Sequence, residues 1–346
     1  MGASRRPGLN RPTLRQVAAL SGVSLKTASR ALNGEPYVSP ATAEKVRNAA
    51  EQLGFRRNAI ARDLRAGARS SLVGLIISDL ANPFYSRVAR GAERRLRAAG
   101  LQLISASSDE DPELEHALVA EMLERRVSAM LIVTSAAEHG YLETERRLGL
   151  PVVFLDRAPA DIVADTIVLD NDGGVHRAVQ HLLQRDHRSI GLVGDLVRLA
   201  TYRERVGAFE ATMTAAGISD WQRYVRAGCH DVASAERAVR ELLALDPPPT
   251  ALVTTNNLIT TGALHALRGI ADPPALVGFD DFDLADVLGV TVIGHDPERM
   301  GELGAELIVT RLNGADGPAR RVLLPTELIE RGSAEALPAR TGQAAL

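Results

Sequence analysis

The chain has 346 residues, 45% of them hydrophobic, and a formal net charge of -3, which excludes a disordered or fibrous protein and favours two or three globular domains. Its single cysteine, Cys229, excludes an internal disulfide and a thiolate metal cluster, and it favours a reducing compartment. No run of about 18 apolar residues occurs, and no apolar segment follows the charged N-terminus MGASRRPGLN, so we expect a cytoplasmic protein that neither spans a membrane nor is exported.

Charge is distributed unevenly along the chain. Residues 1–69 contain 13 Lys and Arg against 4 Asp and Glu, a net +9, whereas residues 70–346 contain 27 against 39, a net -12. A basic segment of this size is typical of proteins that neutralise phosphates, although a solvated surface has the same composition. The pattern of predicted helices in the basic segment distinguishes a phosphate-binding segment from an ordinary solvated surface.

Three short helices are predicted up to about residue 54. Thr13 and Gln16 form a capping box at the start of the first helix, and Ser24 caps the second. Pro40, which follows a serine, stands at the first position of the third helix, and Gly54 ends it. The apolar residues at helical spacing are Leu14, Val17 and Ala18, then Ala28, Ala31 and Leu32, then Ala43, Val46, Ala50 and Leu53.

The first two helices are joined by a glycine-containing turn, and the third completes a small core. This is the helix-turn-helix arrangement, in which the second helix enters the DNA major groove. A generic helical bundle is the alternative. The second helix leaves Leu25, Lys26, Ser29 and Arg30 facing outward.

A further short helix is predicted over residues 59–65, with Asn58 as its cap and Gly67 after its end. It places Ala61 and Leu64 on one side and two arginines on the other. A helix this short is unstable alone in water, so it either packs on the body as a linker or forms when DNA binds.

The body, from residue 70 onward, predicts a duplicated α/β unit. The strand SLVGLIISDL precedes a loop and a helix over 87–99 that Gly100 ends, and the strand SIGLVGDL begins a second unit whose helix Gly217 ends. In both units the strand glycine lies 26 residues before the glycine that ends the helix. Further strands are predicted at 101–105, 129–133, 152–155, 251–254 and 275–278.

Strands that alternate with helices form parallel sheets covered on both faces, and ligands of such sheets lie beyond the carboxyl ends of the strands. The side chains at these ends are Asp79 with Phe84 and Tyr85, Asp156, Thr201 with Arg205, Asn256 and Asp280. Carboxylate, amide and guanidinium groups around an aromatic face suit a polyhydroxylated ligand. For any single Asp the alternative is a strand-end cap or a salt bridge between lobes.

A resemblance to the LacI/GalR (lactose-repressor) family of bacterial transcription regulators is carried by TLRQVAALSGVSLKTASRALNGEPYVSPATAEKVRNAAEQLGFRRNAIARDL. It continues through SDLANPFYSRVARGAERRLRAAG, VVFLDR, RERVGAF, VGFDD and LPTELIERGS, and so spans nearly the whole chain. It implies an N-terminal all-α helix-turn-helix domain, a hinge helix, and a two-lobed periplasmic-binding-protein-like α/β domain with parallel sheets. It also implies a homodimer that binds a palindromic operator and a small effector, without a cofactor.

Carried over residue by residue, the resemblance assigns base reading to Leu25 and Lys26, with Arg30 on the same face. Positions that hold phosphates in the family fall on Thr13, Ser24, Thr27, Ser29, Asn33 and Tyr37. Small hydroxyl side chains among them also cap helices. Residues 58–65 match the hinge helix, which contains Asn58 and Ala61, with Leu64 at the position that enters the minor groove and kinks the duplex.

In the body, the resemblance places effector contacts at Phe84, Tyr85, Arg205, Asn256 and Asp280, with Asp79, Asp156, Thr201 and His230 beside them. A sugar or sugar derivative is the leading expectation. A sugar phosphate paired with Arg205, a polyol or a nucleobase are the alternatives. The sequence departs from the family at Asn257, where an Asp usually follows the Asn, and at His230, near which relatives have an aromatic residue.

The expected organisation has three parts. Residues 8–57 form the DNA-binding domain, 58–69 the hinge helix and linker, and 70–340 the effector-binding and dimerisation domain. The first lobe takes 70–169 and 297–327, and the second takes 170–296 and 328–340. The C-terminal tail lacks leucine heptads, so a dimer is expected rather than a tetramer.

The expected function is a repressor of a carbohydrate uptake or catabolic operon, controlled by an effector bound between two lobes. An enzyme on a doubly wound fold is one alternative, but GxGxxG, GxxxxGK[ST] and GxSxG are all absent. The histidines show no i, i+4 pair, so no metal site is expected. An exported solute-binding protein is the other alternative, and the basic N-terminal segment and the lack of a signal peptide oppose it.

Leu64→Ala tests the hinge assignment. We expect the variant to keep its fold and effector binding but to lose most of its operator affinity, because the apolar wedge that kinks the duplex is gone. A gel-shift titration measures this, and unchanged operator affinity would contradict the assignment.

Overall fold

The computed structural model describes residues 12–56 and 70–335. These residues fall in two compact units, one within 1–70 and the other within 71–346. Among the described residues, no helix is long and apolar enough to cross a membrane. The predicted hinge helix, with Asn58, Ala61 and Leu64, lies outside the described residues.

The described part of the first unit contains three helices: α1 (Leu14–Ser21), α2 (Leu25–Asn33) and α3 (Pro40–Gln52). The predicted capping box is present, because the Thr13 N–H donates to Gln16 Oε1 at 2.8 Å and the Gln16 N–H donates to Thr13 Oγ1 at 3.4 Å. Ser24 caps α2 by accepting the Thr27 N–H at 3.1 Å. The caps therefore start these helices where the sequence predicted.

Small apolar side chains pack these helices together. The buried residues are Val17, Ala18, Ala28, Ala31, Val46, Ala49 and Ala50, all of which except Ala49 were predicted from helical spacing. Phe55 packs against the same cluster, and its N–H donates to the Ala50 carbonyl at 2.8 Å. Alanine at the contact lets helices approach closely, so a core this small is enough to fix the helix-turn-helix, which is confirmed.

Two six-stranded sheets organise the second unit. The strands are β1 (Leu72–Ile77), β2 (Gln102–Ser107), β3 (Ala129–Ile132), β4 (Val152–Asp156), β5 (Asp165–Leu169), β6 (Ile190–Val193), β7 (Val225–Arg226), β8 (Ala251–Thr254), β9 (Ala275–Phe279), β10 (Thr291–Gly294), β11 (Arg321–Leu324) and β12 (Glu327–Ile329). The strand order is β11-β5-β4-β3-β1-β2 in one sheet and β12-β10-β9-β8-β6-β7 in the other. The two orders correspond strand by strand, which confirms the predicted duplication. Among the strands of the described residues, only β12, antiparallel to β10, departs from parallel pairing.

The helices of the second unit cover these sheets. They are α4 (Pro83–Ala98), α5 (Pro112–Glu124), α6 (Glu143–Arg147), α7 (Asn171–Leu183), α8 (Ala200–Ala215), α9 (Val232–Leu243), α10 (Asn257–Leu267) and α11 (Pro297–Leu312). We call β1–β5 and β11 with α4–α6 and α11 the first lobe, and the remaining strands with α7–α10 the second lobe. The chain passes between the lobes after β5, after β10 and between β11 and β12.

Helix α4 begins four residues before the predicted start at residue 87. Asn82 caps it, with Oδ1 accepting the Phe84 N–H at 3.0 Å, and Pro83 occupies the first helical position. The prediction was wrong because the Asn-Pro pair was taken as part of a loop. As a consequence, Phe84 and Tyr85 lie in the first turn of a helix, where the helix holds both rings in place.

The predictions also missed β5, β7, β10, β11 and β12. Each missed strand has a physical reason in its connection or its length. In the described residues no helix separates β4 from β5 or β9 from β10, so alternation of strand and helix gives no signal there. β7 has only two residues, and β11 and β12 are edge strands with exposed side chains, so their apolar pattern is weak.

The turns that end corresponding helices have the same conformation in both lobes. Gly100 after α4 and Gly217 after α8 have φ values of 75° and 76°, the left-handed region that favours glycine. Asp186, in the turn after α7, resembles these glycines with φ 66°, although the family resemblance leads one to expect a glycine there. Asp tolerates this region better than most side chains, so the substitution preserves the turn.

Helices α4 and α11 approach most closely at two glycines. A Cβ on Gly91 of α4 would overlap the carbonyl oxygen of Glu298, and a Cβ on Gly301 of α11 would overlap that of Val88. Since both obstacles are backbone atoms, neither can move aside like a side chain. The position of α11 on the first lobe therefore depends on both glycines.

Gly91→Ala tests this packing. We expect its free energy of unfolding to fall by about 1–3 kcal/mol, because the helices must separate to admit the methyl group. Gly207→Ala on α8 is the matched control, since a Cβ there meets open space, and it should raise the free energy of unfolding by about 0.5–1 kcal/mol. Urea denaturation measures both, and a Gly91→Ala protein as stable as the wild type would show that the contact is not close.

Candidate functional site

A polar cavity lies where the carboxyl ends of the two sheets face each other. Asp156 ends β4 and Asp280 follows β9, so the two occupy the same position of the duplicated unit. Both have a left-handed backbone, with φ of 64° and 70°. The residues that line the cavity are Ser78, Asp79, Asn82, Phe84, Tyr85, Glu110, Asp156, Arg157, Asp195, Thr201, Arg205, His230, Asn256, Leu258 and Asp280. The cavity is partly open to solvent, and its empty space of about 560 Å³ includes that open part.

All nine side chains expected from sequence to contact an effector line this one cavity. They are Asp79, Phe84, Tyr85, Asp156, Thr201, Arg205, His230, Asn256 and Asp280. Sequence reasoning missed Ser78, Asn82, Glu110, Arg157, Asp195 and Leu258. The strand-end rule extends to Ser78 after β1, Arg157 after β4 and Asp195 after β6, so the same signal finds these three. Glu110 lies three residues beyond β2, and nothing in the sequence separates it from its acidic neighbours.

A buried ion pair forms the first-lobe wall. The guanidinium of Arg157 contacts both carboxylate oxygens of Glu110, at 2.7 and 2.8 Å, and both side chains are almost completely buried. Ser78 Oγ donates to the same carboxylate at 2.5 Å. Paired geometry of this kind offsets much of the cost of burying two charges. The pair therefore fixes this wall before any ligand arrives.

The two corresponding aspartates have different electrostatic surroundings. Burial raises the pKa of Asp156, and the nearby guanidinium groups only partly oppose it. Burial acts in the same direction on Asp280, but the hydrogen bond from His295 Nε2 at 2.8 Å, the positive charge of Arg205 and the Asn257 N–H together outweigh it, so the pKa of Asp280 lies below its usual value. Asp280 is therefore a firmly ionised acceptor, and Asp156 is the more easily protonated of the two.

Arg205 reaches the cavity from the second turn of α8. Its Nε donates to Asn171 Oδ1 at 2.8 Å, and Nη1 donates to the Thr255 carbonyl. The guanidinium lies 3.8 Å above the centre of the Phe279 ring, a cation–π contact. These contacts hold the cation in one orientation at the second-lobe wall.

A polar group of the second lobe lies near the cavity mouth. Asn256 Nδ2 donates to Asp195 Oδ2 at 2.8 Å, while its Oδ1 caps α10 by accepting the Ile259 N–H. His230 is half exposed, and its Nδ1 lies 3.9 Å from Asp195 Oδ1. Interaction with that carboxylate raises the pKa of His230 above its usual value. The mouth thus carries an imidazole that protonates more readily than a free histidine.

The aromatic surface of the cavity comes from the first lobe. Among the lining residues, the aromatic rings are those of Phe84 and Tyr85, which meet edge to face with centroids 4.8 Å apart. Phe84 also contacts the His295 ring, with centroids 5.4 Å apart. A ring face on one side and polar groups on the other suit a ligand with an apolar C–H face and hydroxyl edges.

Charged groups join the lobes around the cavity. Arg198 of the second lobe donates to the backbone carbonyl of Glu110 in the first. Arg87 on α4 contacts Asp283 after β9, with 2.5 Å between Nη2 and Oδ1. Rotation of one lobe against the other breaks these contacts, so they belong to one relative orientation of the lobes.

The first unit presents an outward face on α2. Leu25 at its start is 47% exposed and Lys26 is exposed, whereas Ser29 and Arg30 are half-buried. Arg30 Nε lies 3.4 Å from the carboxylate of Glu35. A surface ion pair contributes only about 0–1 kcal/mol, so Arg30 exchanges this partner for another anion at little cost.

The remaining DNA-site candidates are polar side chains at helix caps and on the surface. Thr13 and Ser24 act as helix caps, and the Thr27 hydroxyl contacts Ser24 Oγ at 2.8 Å. Tyr37 is 84% exposed, and Asn33 is exposed at the end of α2. A tyrosine ring so open to solvent makes little contribution to the core, so its place in the sequence calls for a role at the surface.

Protein-family models match both units. Residues 70–272 match the family of periplasmic binding proteins and the sugar binding domain of the LacI family, and residues 13–58 match the bacterial regulatory proteins of the lacI family. The chain belongs to the LacI family.

Curated LacI-family relatives match along almost their whole length. The HTH-type transcriptional regulator PtxS of Pseudomonas aeruginosa is 32% identical, over 96% of this chain and 98% of its own. The ribose operon repressor of Escherichia coli is 28% identical, over 93% of this chain and 99% of its own. The protein is accordingly a DNA-binding transcriptional regulator and not an enzyme.

Solved LacI-family structures share the fold. The complex of the transcriptional regulator CelR with cellobiose is 29% identical with a TM-score of 0.69, covering 93% of this chain and 100% of that one. The lac repressor dimer bound to operator and the anti-inducer ONPF has a TM-score of 0.80 at 24% identity, covering 95% and 100%. The two-lobed fold with parallel sheets is thereby confirmed.

Asn257, which departs from the LacI-family pattern, bridges the lobes. Its Nδ2 donates to Asn82 Oδ1 at 2.8 Å, and both side chains are buried. The same Oδ1 accepts the Phe84 N–H, so the orientation of the Asn82 amide is fixed and the group opposite must be a donor. An ionised Asp has no donor to offer. The structure thus gives a reason for Asn at this position.

Asn257→Asp tests the bridge. We expect the free energy of unfolding to fall by about 1–3 kcal/mol, because a buried carboxylate then faces the Asn82 oxygen without a hydrogen bond. Gln222→Glu makes the same chemical change on an exposed side chain and should shift stability by no more than about 0.5 kcal/mol. Urea denaturation of both proteins decides the matter, and equal stabilities would rule out the bridge.

Proposed function

We propose that this protein is a homodimeric repressor that binds a palindromic operator and whose operator affinity is set by a sugar bound between the lobes. The observation that carries the proposal is the single cavity on which nine expected effector side chains converge. In this proposal, operator binding belongs to residues 8–57, the hinge to 58–69, and effector binding and dimerisation to 70–340. The protein then acts in the cytoplasm, where its DNA lies.

The exposed face of α2 supports operator binding. Lys26 provides N–H donors that match the O6 and N7 acceptors of guanine, and Leu25 suits a thymine methyl group. Hydroxyl and amide groups that suit phosphate oxygens come from Thr13, Ser24, Thr27, Ser29, Asn33 and Tyr37. The net +9 of residues 1–69 supplies the long-range attraction to the duplex.

The chemistry of the cavity supports a sugar. A sugar hydroxyl donates and accepts at once, so it suits a carboxylate such as Asp280 on one side and a guanidinium such as Arg205 on the other. Phe84 and Tyr85 offer an apolar surface to the C–H face of a ring. The sugars named with the CelR complex and the ribose operon repressor belong to those proteins, and they favour the same ligand class here.

The contacts between lobes support control by the effector. Asn82 with Asn257, and Glu110 with Arg198, join opposite lobes at the cavity wall. A ligand that contacts both walls forms its full set of hydrogen bonds in only one relative orientation of the lobes. Its affinity therefore differs between that orientation and others. Since operator affinity and effector affinity then depend on one equilibrium, each ligand changes the affinity of the other.

Selection of bound duplexes from a random library tests operator binding, with Lys26→Ala as the probe. We expect the wild type to select a palindrome, and Lys26→Ala to bind it about 5- to 150-fold more weakly with altered base preference. Lys45→Ala, which removes the same charge from an exposed position on α3, should keep the base preference. Selection of no common sequence by the wild type would contradict the proposed function.

A further inference from the structure

The cavity lining holds more carboxyl groups than cations. The carboxyl groups are those of Asp79, Glu110, Asp156, Asp195 and Asp280, and the guanidinium groups are those of Arg157 and Arg205. His230 adds an imidazole at the mouth. A ligand with a carboxylate or phosphate meets this excess of like charge, so it needs a cation with free N–H donors.

Arg157 has its terminal donors occupied. Besides its two bonds to Glu110, Nη1 donates to the Thr134 carbonyl at 3.0 Å, and Nη2 donates to the Tyr85 hydroxyl at 3.1 Å. The remaining nitrogen, Nε, is buried without a hydrogen bond and lies 3.6 Å from the Asp156 carboxylate. A ligand carboxylate therefore finds no free fork of N–H groups on this side chain.

Arg205 offers a ligand only its Nη2 group, not a free fork of two nitrogens. Its Nε and Nη1 are bonded within the second lobe, and its face is stacked on Phe279. Its charge also lies close enough to act on both Asp156 and Asp280. Two carboxyl groups thus already share this cation.

Glu110 is held in place by an unusual turn. Asp109 and Glu110 are consecutive non-glycine residues with φ of 50° and 59°, a conformation that side chains rarely adopt. Burial alone raises the pKa of Glu110, but Arg157 outweighs burial and leaves the pKa below its usual value, so the group is ionised at neutral pH. The strained turn persists because Ser78 and Arg157 bind the carboxylate that it directs inward.

We propose that Glu110 is a specificity-determining residue of this cavity, because its pairing with Arg157 removes the cation that an acidic sugar requires and so selects uncharged sugars. The proposal rests on the proposed function, since it takes the cavity to be the effector site. The site disfavours an acidic sugar because the negative charge of that sugar finds no cationic partner, and not because the cavity is too small.

The test compares Glu110→Gln with Asp109→Asn in the full-length protein. Asp109 is exposed, and Asn tolerates its left-handed backbone, so Asp109→Asn removes a neighbouring negative charge without touching the pair. The probes are ribose with ribonate, glucose with gluconate, and galactose with galactonate. Thermal melts at constant ionic strength and isothermal titration calorimetry give the dissociation constants.

We expect the wild type and Asp109→Asn to bind any neutral sugar at least tenfold more tightly than the matching acid. In Glu110→Gln, the affinity for the acid should rise at least tenfold relative to that for its neutral partner, because Arg157 is then released from the Glu110 carboxylate. The proposal is overturned if the acids bind Glu110→Gln no more tightly than they bind Asp109→Asn. Acids that bind neither variant also overturn it. Failure of every neutral sugar to bind the wild type would contradict the proposed sugar effector instead, and the comparison of acids between variants still stands.

Two further variants guard against misfolding. Glu110→Gln leaves the buried Arg157 with the Asp156 carboxylate, 3.6 Å from its Nε, as its remaining counter-ion. Glu110→Asp keeps the charge but is one methylene too short to span both guanidinium N–H groups. We expect Glu110→Asp to show a smaller gain for acids in the same direction. The double variant Glu110→Gln/Arg157→Gln should show no increase in affinity for the acids. An increase there would mean that a group other than Arg157 binds the acid in Glu110→Gln.

Discussion

Charges buried between two lobes need partners, and in this protein some of those partners belong to the opposite lobe. The arrangement follows from the duplicated topology. Parallel strands bring their carboxyl ends to one edge of each sheet, and the two edges face each other, so Asp156 and Asp280 reach the same place from corresponding strands. A cavity built in this way is polar within an otherwise apolar body, and its side chains carry more charge than one lobe alone can satisfy.

Whether these groups have hydrogen-bond and ion-pair partners therefore depends on the relative orientation of the lobes. Glu110 receives Arg157 from its own lobe and Arg198 from the other, and Asn82 caps α4 in its own lobe while it accepts Asn257 from the other. Opening the cavity exposes these groups to water, and closing it restores their partners. The open and closed orientations of the lobes differ in their hydrogen bonds rather than in the apolar surface that they bury. A small ligand therefore needs to supply only a few hydrogen bonds to shift the equilibrium between them.

Sequence predicted the parts of this structure that obey local rules. Caps at Thr13 and Ser24, the spacing of the paired helices and the positions of strand ends are all set by neighbouring residues. Eight of the nine expected cavity residues came from the strand ends, and His230 came from the family resemblance. The pairing of Arg157 with Glu110 was missed because the two residues are 47 positions apart and meet only through the sheet order. Edge strands such as β11 and β12 were missed for a related reason: their partners, not their own patterns, define them.

In the proposed function, occupancy of the cavity and affinity for DNA depend on one equilibrium. Linkage makes this testable, because a sugar that changes operator affinity by some factor must have its own affinity changed by the same factor when operator is present. The direct measurement is the dissociation constant of the sugar, by calorimetry, for the protein free and saturated with operator duplex. If the sugar controls operator binding, the two constants differ, and their ratio equals the change that the sugar causes in operator affinity. Equal affinities of every cavity-binding sugar for the free and the operator-bound protein would contradict this control.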